Sequence, residues 1–162
     1  MSRLENLTSP RKTMISDTWV ERYLQLAKHI SSWSKDPSRK IGAVAIGSKG
    51  QVLAQGYNGF PRGMLDNEVR YDDRETKYKY VVHAEMNVIY NASYSGISLD
   101  GSSFFVYGLP VCSECTKGII QVGAKEVFIL TEEVIPEIWD ESFKLSKSML
   151  NEASVYVEWR RR

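Results

Sequence analysis

The amino-acid sequence predicts an α/β protein: a three-layer α/β/α sandwich with a mixed five-stranded sheet between two layers of helices. Two short apolar stretches separated by Ser48-Lys49-Gly50 are typical of a β-hairpin. Stretches with helical and with strand-like spacing of apolar residues then alternate, which indicates βα units and parallel strands. The chain has 162 residues, 43% hydrophobic and 25% charged, so we expect one globular domain over residues 1–162.

The first predicted element is a helix over Ser16–Trp33, in which apolar side chains recur at helical spacing. Ser16, Asp17 and Thr18 are its candidate N-cap residues, because their side chains can accept hydrogen bonds from the first turn. The preceding stretch, Met1–Ile15, is polar and is expected to form a loose arm.

After this helix the predicted order of elements is β-β-α-β-α-β-α-β. Met64–Tyr80 is rich in charge and tyrosine, has no clear periodicity, and is predicted to be a long loop. Arg160–Arg162 is predicted to be a short basic tail. The predicted elements are strands Ile41–Ile46 and Gln51–Tyr57, helix His83–Ala92, strand Ser103–Tyr107, helix Cys112–Val122, strand Glu126–Thr131, helix Pro136–Leu150 and strand Ala153–Trp159.

Charge and cysteine content restrict the classes of protein that this chain can represent. The net charge is +1, whereas proteins that grip long nucleic acid usually carry a strong basic excess. Two cysteines cannot form a disulfide framework, and the first residues lack the apolar region of a signal peptide. No stretch approaches the roughly 20 apolar residues of a membrane span. We therefore expect a cytoplasmic protein with no membrane association and no stable nucleic-acid partner.

The residues that indicate chemistry are His83 and Glu85, at the start of an apolar helical stretch, and the only two cysteines, Cys112 and Cys115. The cysteines start the next predicted helix three positions apart, so they face one side of it. The dipole at a helix N-terminus lowers the pKa of thiols and favours thiolate ligands. Three protein ligands leave the fourth position of zinc open, as in catalytic sites. We therefore predict that His83, Cys112 and Cys115 hold one Zn²⁺ per chain, and that Glu85 transfers protons beside it.

This prediction constrains where the helix begins. Residues i and i+2 are about 200° apart around a complete helix, so His83 and Glu85 would point in different directions within one. Both side chains can reach one metal only if the helix starts here, with His83 near its N-cap.

Other interpretations of these residues stay open. Taken alone, the Cys-x-x-Cys motif also fits a redox pair or a small structural zinc site, and His83 alone fits a hydrogen-bonded core histidine. A thioredoxin-like motif follows an early strand and needs no partner histidine. A non-catalytic zinc-binding interaction module is a further alternative, although a purely structural site needs no carboxylate such as Glu85 next to the metal.

The sequence resembles the deoxycytidylate (dCMP) deaminase family of the cytidine/deoxycytidylate deaminase superfamily. A His-x-Glu motif followed by Cys-x-x-Cys is the signature of zinc deaminases, and Gly56-Tyr57-Asn58-Gly59-Phe60-Pro61-Arg62-Gly63 is the stretch that points to dCMP deaminases. The similarity runs from about Thr18 to Thr131, and it implies a cytidine deaminase-like fold. Further similar stretches are Ser34-Lys35-Asp36-Pro37, Ile41-Gly42-Ala43, His83–Ile89 and Cys112–Gly123.

The resemblance implies hydrolytic deamination of dCMP to dUMP with release of ammonia, a reaction that feeds dTMP synthesis. Zinc would activate a water, and Glu85 would act first as general base and then as general acid. Asn58 is expected to contact the sugar hydroxyl, the backbone N–H of Ala84 to lie near the base carbonyl, and the segment from Tyr107 to Val111 to contact the base. The candidate phosphate ligands are Ser34, Lys35, Arg39 and Lys40, with Arg39 favoured for its bidentate guanidinium.

The resemblance also implies regulation and assembly. Enzymes of this family are typically homohexamers that dCTP activates and dTTP inhibits, with Mg²⁺ accompanying the triphosphate. Gly59, Arg62 and Gly63 resemble their effector-binding segment. One departure concerns Val111, which separates Pro110 from Cys112, whereas the family usually has proline directly before the first cysteine. The ligands are unaffected, but the backbone path leading to them is left open.

Two alternative substrates remain within the same chemistry. The protein could deaminate dCTP, or both nucleotides, because the difference depends on the room around the phosphate. It could also act on a polynucleotide, such as a tRNA adenosine or single-stranded DNA. The near-neutral net charge counts against the polynucleotide.

Overall fold

A mixed five-stranded sheet forms the centre of the fold in the computed structural model, which describes residues 13–162. The strand order is β2-β1-β3-β4-β5, with β1 antiparallel to both of its neighbours and β3, β4 and β5 parallel. This arrangement confirms the predicted fold class. The strands are β1 (Gly42–Ile46), β2 (Val52–Tyr57), β3 (Ser103–Tyr107), β4 (Glu126–Thr131) and β5 (Tyr156–Arg161).

Six α-helices and one 3₁₀ turn surround the sheet in the described part of the chain. Within residues 13–162, no helix has both the length and the apolar character needed to cross a bilayer. The helices are α1 (Asp17–Ser31), α2 (Glu68–Asp72), α3 (Arg74–Tyr80), α4 (Ala84–Tyr94), α5 (Ser113–Gln121) and α6 (Asp140–Glu152), and the 3₁₀ turn spans Glu137–Trp139.

Alternating side chains of the strands build one apolar layer on each face of the sheet. In β3, for example, Phe105 points toward α1, whereas Phe104 and Val106 point toward α4 and α5. The apolar layer beneath α1 contains a stacked ring pair, Phe105 and Phe128, whose centroids are 4.8 Å apart. Helix α1 thus covers one face alone, and α4, α5 and α6 cover the other, the face on which the cysteines and His83 lie.

The structure corrects three predicted boundaries. Met64–Tyr80, predicted to be a loop, contains α2 and α3, which are too short to show apolar periodicity; Asn67 caps α2 by accepting the N–H of Arg70. The predicted tail Arg160–Arg162 largely belongs to β5, because Arg160 and Arg161 pair with Leu130 and Thr131 of β4. The predicted helix from Pro136 starts as the 3₁₀ turn and becomes α-helical at Asp140.

At the N-terminus, Ser16 is the residue that caps α1, by accepting the N–H of Trp19. Asp17 and Thr18, the other candidates, lie inside the helix. The arm predicted for Met1–Ile15 falls mostly outside the described residues.

Helix α4 lies unusually close to the hairpin strand β2 at Gly56. A Cβ atom at this position would come within 2.5 Å of the Ala84 carbonyl oxygen and 2.6 Å of the Val88 nitrogen. Only glycine permits this approach, so the first turn of α4 packs directly on the β2 backbone. The position of His83 and Glu85 at the start of α4 therefore depends on a glycine in the sheet.

We predict that Gly56→Ala lowers the free energy of unfolding by about 1–3 kcal/mol, the usual cost of overpacking a tight contact. Gly59→Ala is the matched control from the same stretch, because a Cβ at Gly59 meets no atom within 4 Å. Chemical denaturation of both variants measures the difference. Equal stability of the two variants would contradict the close packing of α4 on β2.

Candidate active site

Two helix starts bring the candidate metal ligands together. His83 is the N-cap of α4 and has extended backbone angles (φ −69°, ψ 153°), so its side chain precedes the first helical turn. Cys112 is the N-cap of α5 in a similar conformation (φ −72°, ψ 165°), and Cys115 lies in the first turn of that helix. Both helices pack on the same face of the sheet, and their N-termini converge.

The distances within this cluster fit a tetrahedral zinc ion. Nδ1 of His83 lies 3.4 Å from Sγ of Cys112 and 3.3 Å from Sγ of Cys115, and all three ligand atoms lie within 4.8 Å of one another. Zinc bonds of about 2.3 Å to sulfur and about 2.0 Å to nitrogen, at tetrahedral angles, require a nitrogen–sulfur separation of about 3.5 Å. The three side chains can therefore accept zinc with little movement.

Hydrogen bonds within the cluster give the two thiols different acidities. A hydrogen bond from Cys115 lowers the pKa of Cys112 to about 4, and His83 acts in the same direction against the effect of burial. The same bond raises the pKa of Cys115, and the hydrogen bond with Cys112 raises the pKa of His83. The cluster thus favours one thiolate, and a cation that binds here must displace the proton of Cys115.

Glu85 is a buried carboxyl group next to this cluster. Its residue is only 4% exposed, and burial, reinforced by the negative charge of Cys112, raises its pKa to about 7. Among the described residues, the cluster with metal-ligand spacing consists of His83, Cys112 and Cys115 and does not include Glu85. A carboxyl group with a pKa near neutrality can both accept and donate a proton, which is what general acid–base catalysis requires.

The cluster forms one end of a cavity of about 220 Å³. This volume is below the roughly 300–1,000 Å³ of most small-molecule sites, so the cavity suits a small ligand. The inner end carries both apolar and polar groups, and the rest of the lining includes cations and aromatic rings. The inner end is formed by His83, Ala84, Glu85 and Cys112, the cations are Arg39, Arg74 and Lys77, and the rings are Tyr78, Trp139 and Phe143.

Three of the predicted substrate contacts line this cavity: Asn58, Ala84 and Arg39. Two hydrogen bonds fix the side-chain amide of Asn58. Its Oδ1 accepts the Ile41 N–H at 2.8 Å, and its Nδ2 donates to the Arg39 carbonyl at 2.9 Å. The guanidinium of Arg39 donates to the Val134 carbonyl at 2.9 Å.

Four other predicted contacts do not line the cavity. The Ser34 hydroxyl is buried and donates to the Asn58 carbonyl at 2.8 Å, and exposed Lys35 pairs with Asp66 at 3.1 Å. Lys40 donates to the Ser34 carbonyl. Tyr107 lines a separate cavity on the α1 side and bonds Glu132 at 3.1 Å. Of the predicted phosphate ligands, the structure brings only Arg39 to the cavity.

The predicted effector-binding residues lie away from this cavity. Gly59 pairs with Val82 in an isolated β-bridge, and Gly63 adopts φ of +81°, a conformation that favours glycine. Arg62 donates to Asn91 and lies 5.6 Å from the ring centroid of Tyr94, so it packs on the outer surface of α4.

A buried ion pair that the sequence did not reveal supports the polar wall. Nζ of Lys77 lies 3.2 Å from Oδ2 of Asp36, and the two side chains are 10% and 4% exposed. Lys77 also donates to the Ser38 hydroxyl at 2.7 Å, and Asp36 accepts the Ser38 N–H at 2.9 Å. Burial alone would raise the pKa of Asp36, but the hydrogen bonds from Ser38 and the charge of Lys77 together lower it.

The sequence does not predict Arg74, Lys77 and Tyr78 as cavity residues, because they lie on α3, within the stretch predicted to be a loop. Lys77 and Asp36 are 41 residues apart, and no local pattern predicts such a pair. Trp139, which lines the cavity from the 3₁₀ turn, was also missed, since a tryptophan after a proline resembles an ordinary core residue. The dense charge of Met64–Tyr80 was the one available signal.

A cluster of one histidine and two cysteines that fits zinc, beside a glutamate outside the cluster, on this α/β fold is typical of zinc-dependent nucleobase deaminases. The comparison with protein families gives the same class. Residues 17–131 match the model of the cytidine and deoxycytidylate deaminase zinc-binding region, and the chain belongs to this family.

Relatives and solved structures agree with this assignment. The chain is 37% identical to an "Uncharacterized deaminase in luxG 3' region" of Aliivibrio fischeri, covering 87% of this chain and 92% of that protein. It is 35% identical to a probable deoxycytidylate deaminase of Drosophila melanogaster, covering 88% and 71%. The structure is similar to that of dCMP deaminase from cyanophage S-TIM5 in complex with dCMP and dUMP, with 27% identity, a TM-score of 0.70, and 90% and 98% of the two chains covered.

We predict that Lys77→Met lowers the free energy of unfolding at pH 7 by about 3 kcal/mol, because it leaves Asp36 buried without its partner. The pKa of Asp36 in the folded protein lies below its ordinary value of 3.8. The Asp36–Lys77 pair therefore stabilises the folded protein fully above pH 3.8. This contribution is lost as the pH falls through the pKa of Asp36 in the folded protein. The difference between variant and wild type, measured by denaturation from pH 7 to pH 3, should shrink toward acid.

Lys79→Met on the same helix is the control for this experiment. Lys79 pairs with Glu75 on the surface, where the two side chains are 68% and 82% exposed, so its loss should leave stability unchanged at every pH. A pH-independent loss in Lys77→Met would show that the ion pair is not its cause.

We predict that Cys115→Ala loses zinc and thermal stability together, because the ion then keeps only two protein ligands. Glu85→Gln should retain zinc, since Glu85 lies beside the cluster without belonging to it. Plasma emission spectrometry after dialysis gives the zinc content, and thermal unfolding gives the stability. Unchanged zinc in Cys115→Ala would remove Cys115 from the ligand set.

Proposed function

We propose that this protein catalyses the hydrolytic deamination of dCMP to dUMP, releasing ammonia. The observation that carries the proposal is the buried carboxyl of Glu85 beside the His83, Cys112 and Cys115 cluster, at the inner end of a cavity with cationic walls. Relatives named deoxycytidylate deaminase, and the similar dCMP-bound structure from a cyanophage, support dCMP as the substrate.

Glu85 carries the proton transfers of the proposed reaction. Bound at His83, Cys112 and Cys115, zinc supplies the Lewis acidity that makes a water nucleophilic near neutral pH. Glu85 accepts a proton from the attacking water and donates one to N3 of the cytosine ring as the C4–O bond forms. Glu85 then takes the remaining proton from the new C4 hydroxyl and delivers it to the amino group at C4. The C4–N bond breaks as the C4 carbonyl forms, and ammonia leaves. One carboxyl thus acts first as base and then as acid, and its burial, which raises the pKa of Glu85, favours the return of the proton.

Two groups at the cavity can orient the nucleoside. Ala84 is the first residue of α4, so its N–H has no partner within the helix and can donate to the base carbonyl. The Oδ1 atom of Asn58 accepts one hydrogen bond, from Ile41, and its second lone pair can accept a sugar hydroxyl.

The phosphate of dCMP would lie against the cationic wall. Nη1 of Arg39 is buried and has no hydrogen-bond partner among residues 13–162, although it lies 3.9 Å from a carboxylate oxygen of Glu133. Arg74 and Lys77 line the same cavity from α3. A phosphate between these side chains would satisfy Arg39 with charge-assisted hydrogen bonds.

We further infer that the protein is a homohexamer activated by dCTP and inhibited by dTTP, with Gly59, Arg62 and Gly63 at the effector site. The support is the position of these residues on the outer side of α4, away from the catalytic cavity. Tyr94, beside Arg62, is 84% exposed, and such an aromatic surface suits an interface between subunits.

We predict that the wild-type protein loaded with zinc releases ammonia from dCMP, and that Glu85→Gln loses at least about 100-fold in kcat, because general acid–base catalysis contributes about 10²–10⁴-fold. An ammonia-release assay should compare dCMP, dCTP, cytidine, deoxycytidine and a single-stranded oligonucleotide. Normal turnover by Glu85→Gln would refute the role of Glu85, and a preference for dCTP or the oligonucleotide would replace the proposed substrate.

The same assay with and without dCTP and dTTP tests the inferred regulation, and light scattering of the same sample gives the subunit number. Arg62→Ala should abolish the response to both effectors and keep the basal rate. Rates that are independent of both nucleotides in the wild type would contradict the inferred effector site.

A further inference from the structure

Two aromatic residues that line the cavity contact each other. Tyr78 belongs to α3 and Trp139 to the 3₁₀ turn, and both line the cavity that ends at Glu85. Their ring centroids are 6.2 Å apart and the ring planes are inclined at 88°, an edge-to-face arrangement that is favourable for aromatic rings. We refer to Tyr78 and Trp139 as the aromatic bridge.

Each half of the aromatic bridge has its own support. Trp139 stacks on Phe143 of α6, with centroids 6.4 Å apart, and Phe143 is only 1% exposed. Tyr78 is 47% exposed, and Nζ of the buried Lys77 lies 5.6 Å from the centroid of its ring. Trp139 is therefore the anchored half, and Tyr78 is the half that can move outward.

The elements that carry the bridge are short. Helix α3 has seven residues and the 3₁₀ turn has three, and neither begins with a side-chain cap hydrogen bond. Trp139 also lies outside residues 17–131, the part of the chain that matches the deaminase family. The wall opposite α3 is thus supplied by a segment that the family match does not include.

We propose that the aromatic bridge restricts the substrate to one free nucleotide. A free pyrimidine nucleotide ends in a single phosphate, which can lie against Arg39 and Arg74 within the cavity. A nucleotide within a strand has further chain attached at both its 5′ and 3′ oxygens, and the contact between Tyr78 and Trp139 would narrow the path of that chain. The inference rests on the proposed function and adds the residues that select a mononucleotide over a polynucleotide.

The test compares Trp139→Ala and Tyr78→Ala with Trp139→Phe and Tyr78→Phe, which keep a ring. For each zinc-loaded variant, kcat/KM is measured with dCMP and with a single-stranded oligodeoxynucleotide that contains one central deoxycytidine. Each alanine variant should lower the preference for dCMP over the oligonucleotide at least tenfold, and the phenylalanine variants should keep the wild-type preference. Because the two rings form one bridge, the double alanine variant should resemble either single variant.

Two outcomes would overturn the proposed role of the aromatic bridge. Both alanine variants could keep the wild-type preference for dCMP, or neither variant could deaminate the oligonucleotide. Failure of the wild type to deaminate dCMP would instead overturn the proposed function. Thermal unfolding and zinc content identify a variant that has lost its fold, and the bridge is then tested by the variant on the other element. Quenching of tryptophan fluorescence by dUMP, lost in Trp139→Phe, measures occupancy next to the bridge independently of turnover.

Discussion

The point at which α4 begins is the constraint on which the candidate site depends. If both residues lay inside a complete helix, the side chains of His83 and Glu85 would point about 200° apart. No single ion could then lie near both side chains. Because His83 is an N-cap with an extended backbone, its imidazole faces Cys112 and Cys115 while Glu85 turns inward from the first turn. The same helix start leaves the Ala84 N–H without an intrahelical partner, so one backbone transition creates three chemically different groups.

The sheet holds this helix start in place from one side. Gly56 admits the first turn of α4 against β2, the Gly59–Val82 bridge fixes the strand-like approach to His83, and Asn87 donates to the Tyr57 carbonyl at 2.8 Å. These contacts lie within one stretch of the hairpin. The glycine-rich stretch that resembles dCMP deaminases thus has a mechanical role in this chain: it determines where α4 begins and how closely it packs.

The sequence was sufficient to predict the fold class and to identify the metal cluster, because both leave local patterns. Strand alternation, helix spacing and the two motifs at helix starts are each visible within about ten residues. The walls of the cavity leave no such pattern. Lys77 reaches Asp36 across 41 residues, α3 is too short for periodicity, and Trp139 reaches the cavity only because α6 positions its 3₁₀ turn. Ser34 and Lys35 are predicted phosphate ligands because a phosphate needs cations or hydrogen-bond donors, yet their side chains bond Asn58 and Asp66.

This difference between the inner end and the walls has a chemical meaning. The inner end is built from residues close together in sequence at two helix starts, so local motifs determine it. The walls are built from long-range pairs, Asp36 with Lys77 and Tyr78 with Trp139, which join elements that are distant in sequence. A change in either pair alters the cavity wall, whereas His83, Glu85 and the cysteines lie on other elements. The groups proposed for the reaction are therefore encoded locally, whereas the shape of the cavity depends on how α3 and the 3₁₀ turn pack around it.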